Sequence, residues 1–189
     1  VVLGTRNEHR FLMTYHPLLR HLRYRLHSHL PRLYPGAQCV IARKDAVAVT
    51  IDDGPSSDTK QLLDALDTEA INATFFFSGS AVLEHPRRLH AVRERGHAVA
   101  SHGFAHEDLS LKSRKAVTDD IERSLRTIEA VSGVRPTLFR PPYGRLHPLH
   151  RDIPRALGLR LVLWSVLPGD FDPAVTPAEL RSRLDSVHG

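Results

Sequence analysis

The stretch Val47-Ala48-Val49-Thr50-Ile51-Asp52-Asp53-Gly54-Pro55 runs apolar and β-branched, then ends in two carboxylates, a glycine and a proline. The first five residues suit a β-strand, and Gly-Pro punctuates its end. Asp-Gly-Pro on its own is ordinary turn chemistry. Two adjacent carboxylates at a strand end repel each other, however, and a divalent cation is the simplest reason to keep both.

The pattern that begins there alternates along the chain. Strands are expected over 46–51, 73–77, 97–100, 137–139 and 159–164. Between them the apolar spacing is helical. Asp58 is read as the cap of a helix carrying Leu62, Leu63 and Leu66, and helices follow over 81–83 and 86–95, where Gly96 stops the second. A long helix over 112–132 places Val117, Ile121, Leu125 and Ile128 on one face. Residues 148–157 read as helical up to Gly158, and Thr176-Pro177-Ala178-Glu179 is a capping box that opens a last helix. Strands alternating with helices imply an α/β fold with a mainly parallel sheet or barrel.

The chemistry-bearing residues follow the expected strand ends. Asp52 and Asp53, His102, Arg140 and the 164–170 stretch all fall there, which in α/β barrels and open α/β sheets is the edge that carries the site. His102 and His106 stand four apart, close enough on one face of a helical turn to share a metal. The chain has 13 histidines, so such a spacing also arises by accident. His27/His29 and His147/His150 have ligand-like spacing without acidic or strand-terminal support, and are read as surface histidines. Arg140 is either a surface arginine on a rigid Pro141-Pro142 turn or a guanidinium that orients a neighbouring carboxylate.

Composition narrows the class. With 189 residues, the chain is long enough for one domain with a real core. Hydrophobic residues make up 41% and charged residues 25%, ordinary for a globular protein. No run approaches the ~20 apolar residues of a membrane-spanning helix. Residues 1–10 carry no basic-then-apolar leader pattern, but the chain opens on Val1, so a leader is neither shown nor excluded. Cys39 stands alone, so no internal disulfide forms; it reads as a small buried apolar residue.

The net charge of +5 is unevenly spread. Residues 1–44 hold eight Lys/Arg and one acid (+7), and the remainder holds 18 basic and 20 acidic residues (−2). The high isoelectric point therefore belongs to an N-terminal segment, and a nucleic-acid role for the whole chain loses its main support. Within that segment, Leu18, Leu19, Leu22 and Leu26 form a helical stripe among Arg20, Arg23 and Arg25, bounded by Pro17 and Pro31. This is either a helix packed on the domain's outside or a basic amphipathic helix making weak contact with an anionic membrane surface.

Three motifs carry a family resemblance. Thr50-Ile51-Asp52-Asp53-Gly54-Pro55, Ser101-His102-Gly103-Phe104-Ala105-His106 and Arg140-Pro141-Pro142-Tyr143-Gly144 resemble, in order and spacing, the first three motifs of the polysaccharide deacetylases, the NodB-homology domain of carbohydrate esterase family four. Asn72-Ala73-Thr74-Phe75-Phe76 is similar to that family's second strand. The resemblance implies a distorted, incomplete (β/α) barrel over 45–189, with 1–44 as a basic extension. It implies metal-dependent hydrolysis of N-acetyl groups on a peptidoglycan- or chitin-like glycan. Asp53, His102 and His106 would be the metal ligands. Asp52 would be the general base held by Arg140, and the Tyr143 backbone N–H would stabilise the oxyanion. The metal would be Zn2+, with Co2+ or Ni2+ accepted by the same His₂Asp set. The family's setting is the bacterial cell envelope or the exterior.

The fourth motif is altered. Trp164-Ser165-Val166-Leu167-Pro168-Gly169-Asp170-Phe171 resembles the family's stretch, with Leu167 where an aspartate is usual and Phe171 where a tryptophan is usual. Asp170 would be the acid that tunes the catalytic histidine. Pro141, Trp164 and Phe171 would wall the substrate, and Trp164 reads equally well as core. The fifth motif, an apolar strand ending in Leu-x-His, is not seen before Asp185-Ser186-Val187-His188-Gly189, so the chain reads as a fragment and His188 is not assigned as the acid. The alternatives are an O-acetyl esterase or non-sugar amide hydrolase on the same site, or a non-catalytic glycan-binding relic.

Overall fold

A computed structural model describes residues 2–4, 37 and 46–185. The stripe over 17–30, the His27/His29 pair, Cys39 and His188 lie outside the described residues. Six parallel strands form one sheet in strict chain order: β1 (Val2–Gly4), β2 (Val49–Asp52), β3 (Ala73–Phe77), β4 (Ala98–Ser101), β5 (Leu138–Phe139) and β6 (Arg160–Leu161). Each strand pairs only with its predecessor and successor, the winding of a (β/α) barrel. Among the described residues β1 and β6 remain sheet edges, so the barrel is incomplete.

Six α-helices stand among the described residues: α1 (Thr59–Thr68), α2 (Gly79–Glu84), α3 (Pro86–Glu94), α4 (Arg114–Ser132), α5 (Asp152–Ala156) and α6 (Pro177–Leu184). α4 is the main pillar. Val117, Ile121 and Leu125 pack into one apolar cluster with Leu109, Phe139, Leu146, Ile153, Leu159 and Leu163. Ile128, one turn on, joins a second cluster with Ile51, Leu63, Phe75, Phe77, Val82, Leu89 and Val92. Ser113 caps α4 by accepting from the Ala116 N–H, and Gly133 ends it at φ 71°, the left-handed position that favours glycine.

The alternation of side chains along the strands places the site. Ile51 and Phe75 are register partners on the outer, helix-covered face. Asp52 and Phe76, the next register pair, therefore point to the opposite face, inside the barrel. Thr50 shares that inner face.

Several boundaries differ from the sequence reading. Residues 148–157 divide into a 3-10 turn at Pro148–His150 and α5, because Pro154 interrupts the pattern. The long helix expected from 112 starts at Arg114 behind its Ser113 cap, and a separate 3-10 turn, Leu109–Leu111, precedes it. Asp58 occupies the N-cap of α1 without capping it by its side chain. Its carboxylate accepts from the Ser57 hydroxyl instead. The capping box on α6 is present with both of its hydrogen bonds.

Candidate metal centre and its carboxylates

The adjacent aspartates take different partners. Asp52 is the last residue of β2 and points into the barrel, where it is buried. Asp53 has φ 66°, a left-handed conformation uncommon outside glycine. That reversal turns its carboxylate toward the loop after β4. Asp53 Oδ1 lies 2.8 Å from His106 Nε2 and 3.5 Å from His102 Nε2. One ligand atom from each of the three residues falls within 4.8 Å of the others.

The two histidines come together differently from the expected helical turn. Residues 102–106 form a loop, with Gly103 at φ 76° and His106 at φ 54°. β4 delivers His102 straight from the sheet, and two left-handed residues fold the chain back so that the imidazole centroids stand 5.2 Å apart. His102 Nδ1 lies 2.7 Å from the Arg140 carbonyl oxygen. A carbonyl can only accept, so Nδ1 carries the proton and Nε2 presents its lone pair toward Asp53. This is the tautomer a metal ligand needs. Three donors converge, two of them imidazole and one carboxylate, and their chemistry fits a divalent cation.

The charges respond to one another. Burial pushes the Asp53 carboxyl up, but the hydrogen bond from His106 and the field of both imidazoles outweigh it, so its pKa falls below the ordinary value. Burial lowers the His102 pKa, and the neighbouring carboxylates only partly oppose it. Burial also works against a charged His106, yet its hydrogen bond to Asp53 prevails and raises its pKa.

Arg140 is one of the most deeply buried side chains of the protein, at 1% exposure. Its Nη1 donates to Asp52 Oδ1 at 2.5 Å and to Thr50 Oγ1 at 3.0 Å. Its Nε and Nη2 reach the carbonyls of Val162 and Leu163 at 3.4 Å. The guanidinium lies 4.1 Å from the Phe76 ring centroid and 5.7 Å from that of Trp164. The alternative of a surface arginine is thereby set aside.

The turn after Arg140 has its own special backbone. Tyr143 sits at φ 59° within the 3-10 turn Pro142–Gly144. Its half-exposed ring lies 4.9 Å from that of His106. Burial first, then Asp53 and Asp108, raise the pKa of its phenol. Among the described residues the Tyr143 N–H has no acceptor. Trp164 is buried and packs against Gly144 so closely that a Cβ there would meet Cη2 at 2.4 Å. Pro141 is buried as well. Asp170 is half-buried and Phe171 exposed in the loop after β6. His147 and His150 stack at 5.3 Å, and His147 Nδ1 accepts from the Leu149 N–H as the cap of a 3-10 turn.

The sequence profile described as polysaccharide deacetylase matches residues 40–162. The chain belongs to the polysaccharide deacetylase family. Its fold is that of the family: a solved structure of a peptidoglycan deacetylase from Bacillus subtilis superposes with a TM-score of 0.70 at 33% identity, covering 79% of this chain and 73% of that one. The chain is 36% identical over 126 residues to a peptidoglycan-N-acetylglucosamine deacetylase of Listeria monocytogenes, covering 66% of this chain and 26% of the relative. It is 38% identical over 115 residues to chitin deacetylase 2 of Saccharomyces cerevisiae, covering 61% of this chain and 36% of the relative. The chain therefore spans about a quarter to a third of the length of these curated relatives. No helix among the described residues is long and apolar enough to cross a membrane.

Sequence reading missed Thr50 as a partner of Arg140, and it missed Asp120 on α4. Asp120 accepts from the N–H groups of Phe104 and Ala105 at 2.9 and 3.1 Å. Within Thr118-Asp119-Asp120 nothing in the sequence marks it off from an ordinary solvated helix face.

Proposed function

We propose that this chain hydrolyses N-acetyl groups on a peptidoglycan- or chitin-like glycan in a metal-dependent reaction that releases acetate and a free amine. The observation that carries this reading is the division of labour between neighbours. Asp52 is clamped by a buried arginine, while Asp53 turns away to join two imidazoles on the same rim. One carboxylate is thus kept for proton transfer and the other for ligation.

Asp53, His102 and His106 would hold a divalent cation, Zn2+ by their donor set, with Co2+ or Ni2+ as substitutes. When bound, it supplies Lewis acidity toward the amide carbonyl and the attacking water. Asp52 takes the water's proton at Oδ2, since Arg140 occupies Oδ1. Arg140 keeps that carboxylate oriented. The Tyr143 N–H donates to the oxygen that gains charge as the carbonyl carbon becomes tetrahedral. Asp170 tunes the acid that protonates the leaving nitrogen. Phe171 offers an apolar wall to the sugar or acetyl methyl, and Pro141 and Trp164 complete the substrate-binding set.

Leu167 and Phe171, which depart from the family's fourth motif, favour a second reading in which the same centre cleaves O-acetyl esters or a non-sugar amide. Residues 45–189 form the catalytic domain in either case. The +7 segment over 1–44 is a basic extension, and any contact it makes with an anionic membrane surface would be weak and salt-sensitive; the family's setting suits an envelope or exterior location.

Acetate release from an N-acetylglucosamine oligomer, with Zn2+ and with chelator, tests the proposal. Release should require metal and fall by about 10²–10⁴ in Asp52→Asn. Chelator-insensitive release, or full activity in that variant, would refute it. Release from O-acetylated substrate alone would select the second reading. Metal binding with release from neither would leave a glycan-binding relic.

A further inference from the structure

The loop that carries both histidines is gripped from two sides. The carbonyls of Gly103 and Phe104 accept from the N–H groups of Gly79 and Ser80, at the start of α2, at 2.9 and 3.0 Å. On the other side, both carboxylate oxygens of Asp120 are engaged. Oδ1 accepts from the Phe104 N–H and Oδ2 from the Ala105 N–H. Arg123, on the next turn of the same face, lies 3.6 Å above the Phe104 ring. Ser124 meets Ser101 at 2.9 Å between hydroxyls, and the Gly103 N–H donates to Ser101 Oγ at 3.3 Å.

The grip has something to hold against. His106 sits in a left-handed conformation that costs a non-glycine residue free energy and is populated only where surroundings impose it. Released, residues 103–106 would relax toward ordinary backbone, and His106 Nε2 would move away from His102. The fit is tight: a Cβ on Gly103 would come within 2.7 Å of Asp120 Oδ1.

We propose that Asp120 is a positioning residue for the metal centre. Its two-oxygen grip on the Phe104 and Ala105 amides fixes the separation of the His102 and His106 nitrogens, and so sets metal affinity. It touches neither metal nor substrate. This rests on the metal-dependent reading above. Its action is geometric, through two backbone hydrogen bonds, so a side chain that keeps one acceptor should keep part of the effect.

The experiment is Zn2+ affinity by chelator competition, with Co2+ absorption as a report on coordination geometry, for the unaltered chain, Asp120→Ala and Asp120→Asn. Asp120→Ala should bind Zn2+ about 10–100-fold more weakly, the range seen when the support of a ligand is removed. Its Co2+ spectrum should change, and Asp120→Asn should fall between it and the parent. In metal-free protein, Phe104 and Ala105 should lose amide-exchange protection while the α4 amides keep theirs. Parent-like Zn2+ affinity and Co2+ spectrum in Asp120→Ala would overturn the proposal while leaving the metal reading intact. Absence of stoichiometric binding by the unaltered chain, matched by His106→Ala, would overturn both.

Discussion

Replacing Arg140 with methionine tests whether the buried ion pair organises the rim. The substitution keeps an unbranched chain and removes the guanidinium. Lost with it are the charge-assisted bond to Asp52, the bond to Thr50, and the two long contacts to the Val162 and Leu163 carbonyls. The charge-assisted bond alone is worth roughly 1.5–3 kcal/mol and the Thr50 bond about 1. These losses overlap with the larger penalty of leaving Asp52 as an unpaired buried carboxylate, so they are not summed. Breaking one partner of a buried pair costs about 3–5 kcal/mol, a large share of the ~5–15 kcal/mol that holds a domain together. In an Asp52→Asn background no stranded charge remains, and the same Arg140→Met change should cost only about 1–2 kcal/mol. Urea unfolding followed by far-UV circular dichroism reads both. With a slope of about 2 kcal/mol/M, a loss of 4 kcal/mol moves the midpoint by about 2 M, and the shift should shrink by half or more in the Asn background. A shift under about 0.5 M, or an equal loss in the two backgrounds, would show that Arg140 and Asp52 are not energetically coupled.

Zn2+ should raise the melting temperature of the unaltered chain, by the equivalent of about 2.7 kcal/mol at a hundredfold excess over Kd, and His106→Ala should abolish that rise in differential scanning calorimetry. Ala70 occupies φ 52° just past the end of α1, where the Ala70 and Ile71 N–H groups bond back to Asp67 and Leu66, so Ala70→Gly should stabilise by about 1 kcal/mol and lift the melting temperature by about 2–4 °C. Gly144→Ala should destabilise by about 2–4 kcal/mol, because φ is 66° and the new Cβ meets a buried indole; Trp164, the chain's single tryptophan, should report the displacement by fluorescence. His97 is buried with its pKa pushed down chiefly by that burial, so the unfolded chain binds a proton the folded chain refuses. Stability present above pH ~6.5 should fall as pH drops below it, and His97→Phe should flatten the pH dependence of the urea midpoint between pH 7.5 and 5.5.

Strand ends were legible because they coincide with abrupt changes of chemistry, as at Ile51-Asp52 and Phe139-Arg140. Those changes survive any small error in element boundaries. The Asp52/Asp53 pair announced a site, but not that a left-handed Asp53 would give the two carboxylates different partners. Backbone of that kind is set by tertiary contacts, and Asp carries no obligatory signal for it. The histidine spacing picked out a pair that the structure does bring together, though by a loop and not a helical turn, since four residues bring two side chains together on a helix and equally in a tight loop. β1 escaped notice because Val2-Leu3-Gly4 is too short to show a period. Asp120 escaped because its role depends on which loop α4 happens to face.

Four non-glycine residues among those described have positive φ: Asp53, Ala70, His106 and Tyr143. Three of them surround one small volume, and two of these, Asp53 and His106, must carry a side chain that glycine could not offer, while Tyr143 offers a backbone amide that a relaxed backbone would misplace. A selection for thermal robustness alone would therefore push these positions one way and chemistry would push them the other. Directed evolution of this chain toward higher melting temperature should accept glycine at 70 freely, and should lose turnover whenever it accepts glycine at 53 or 106.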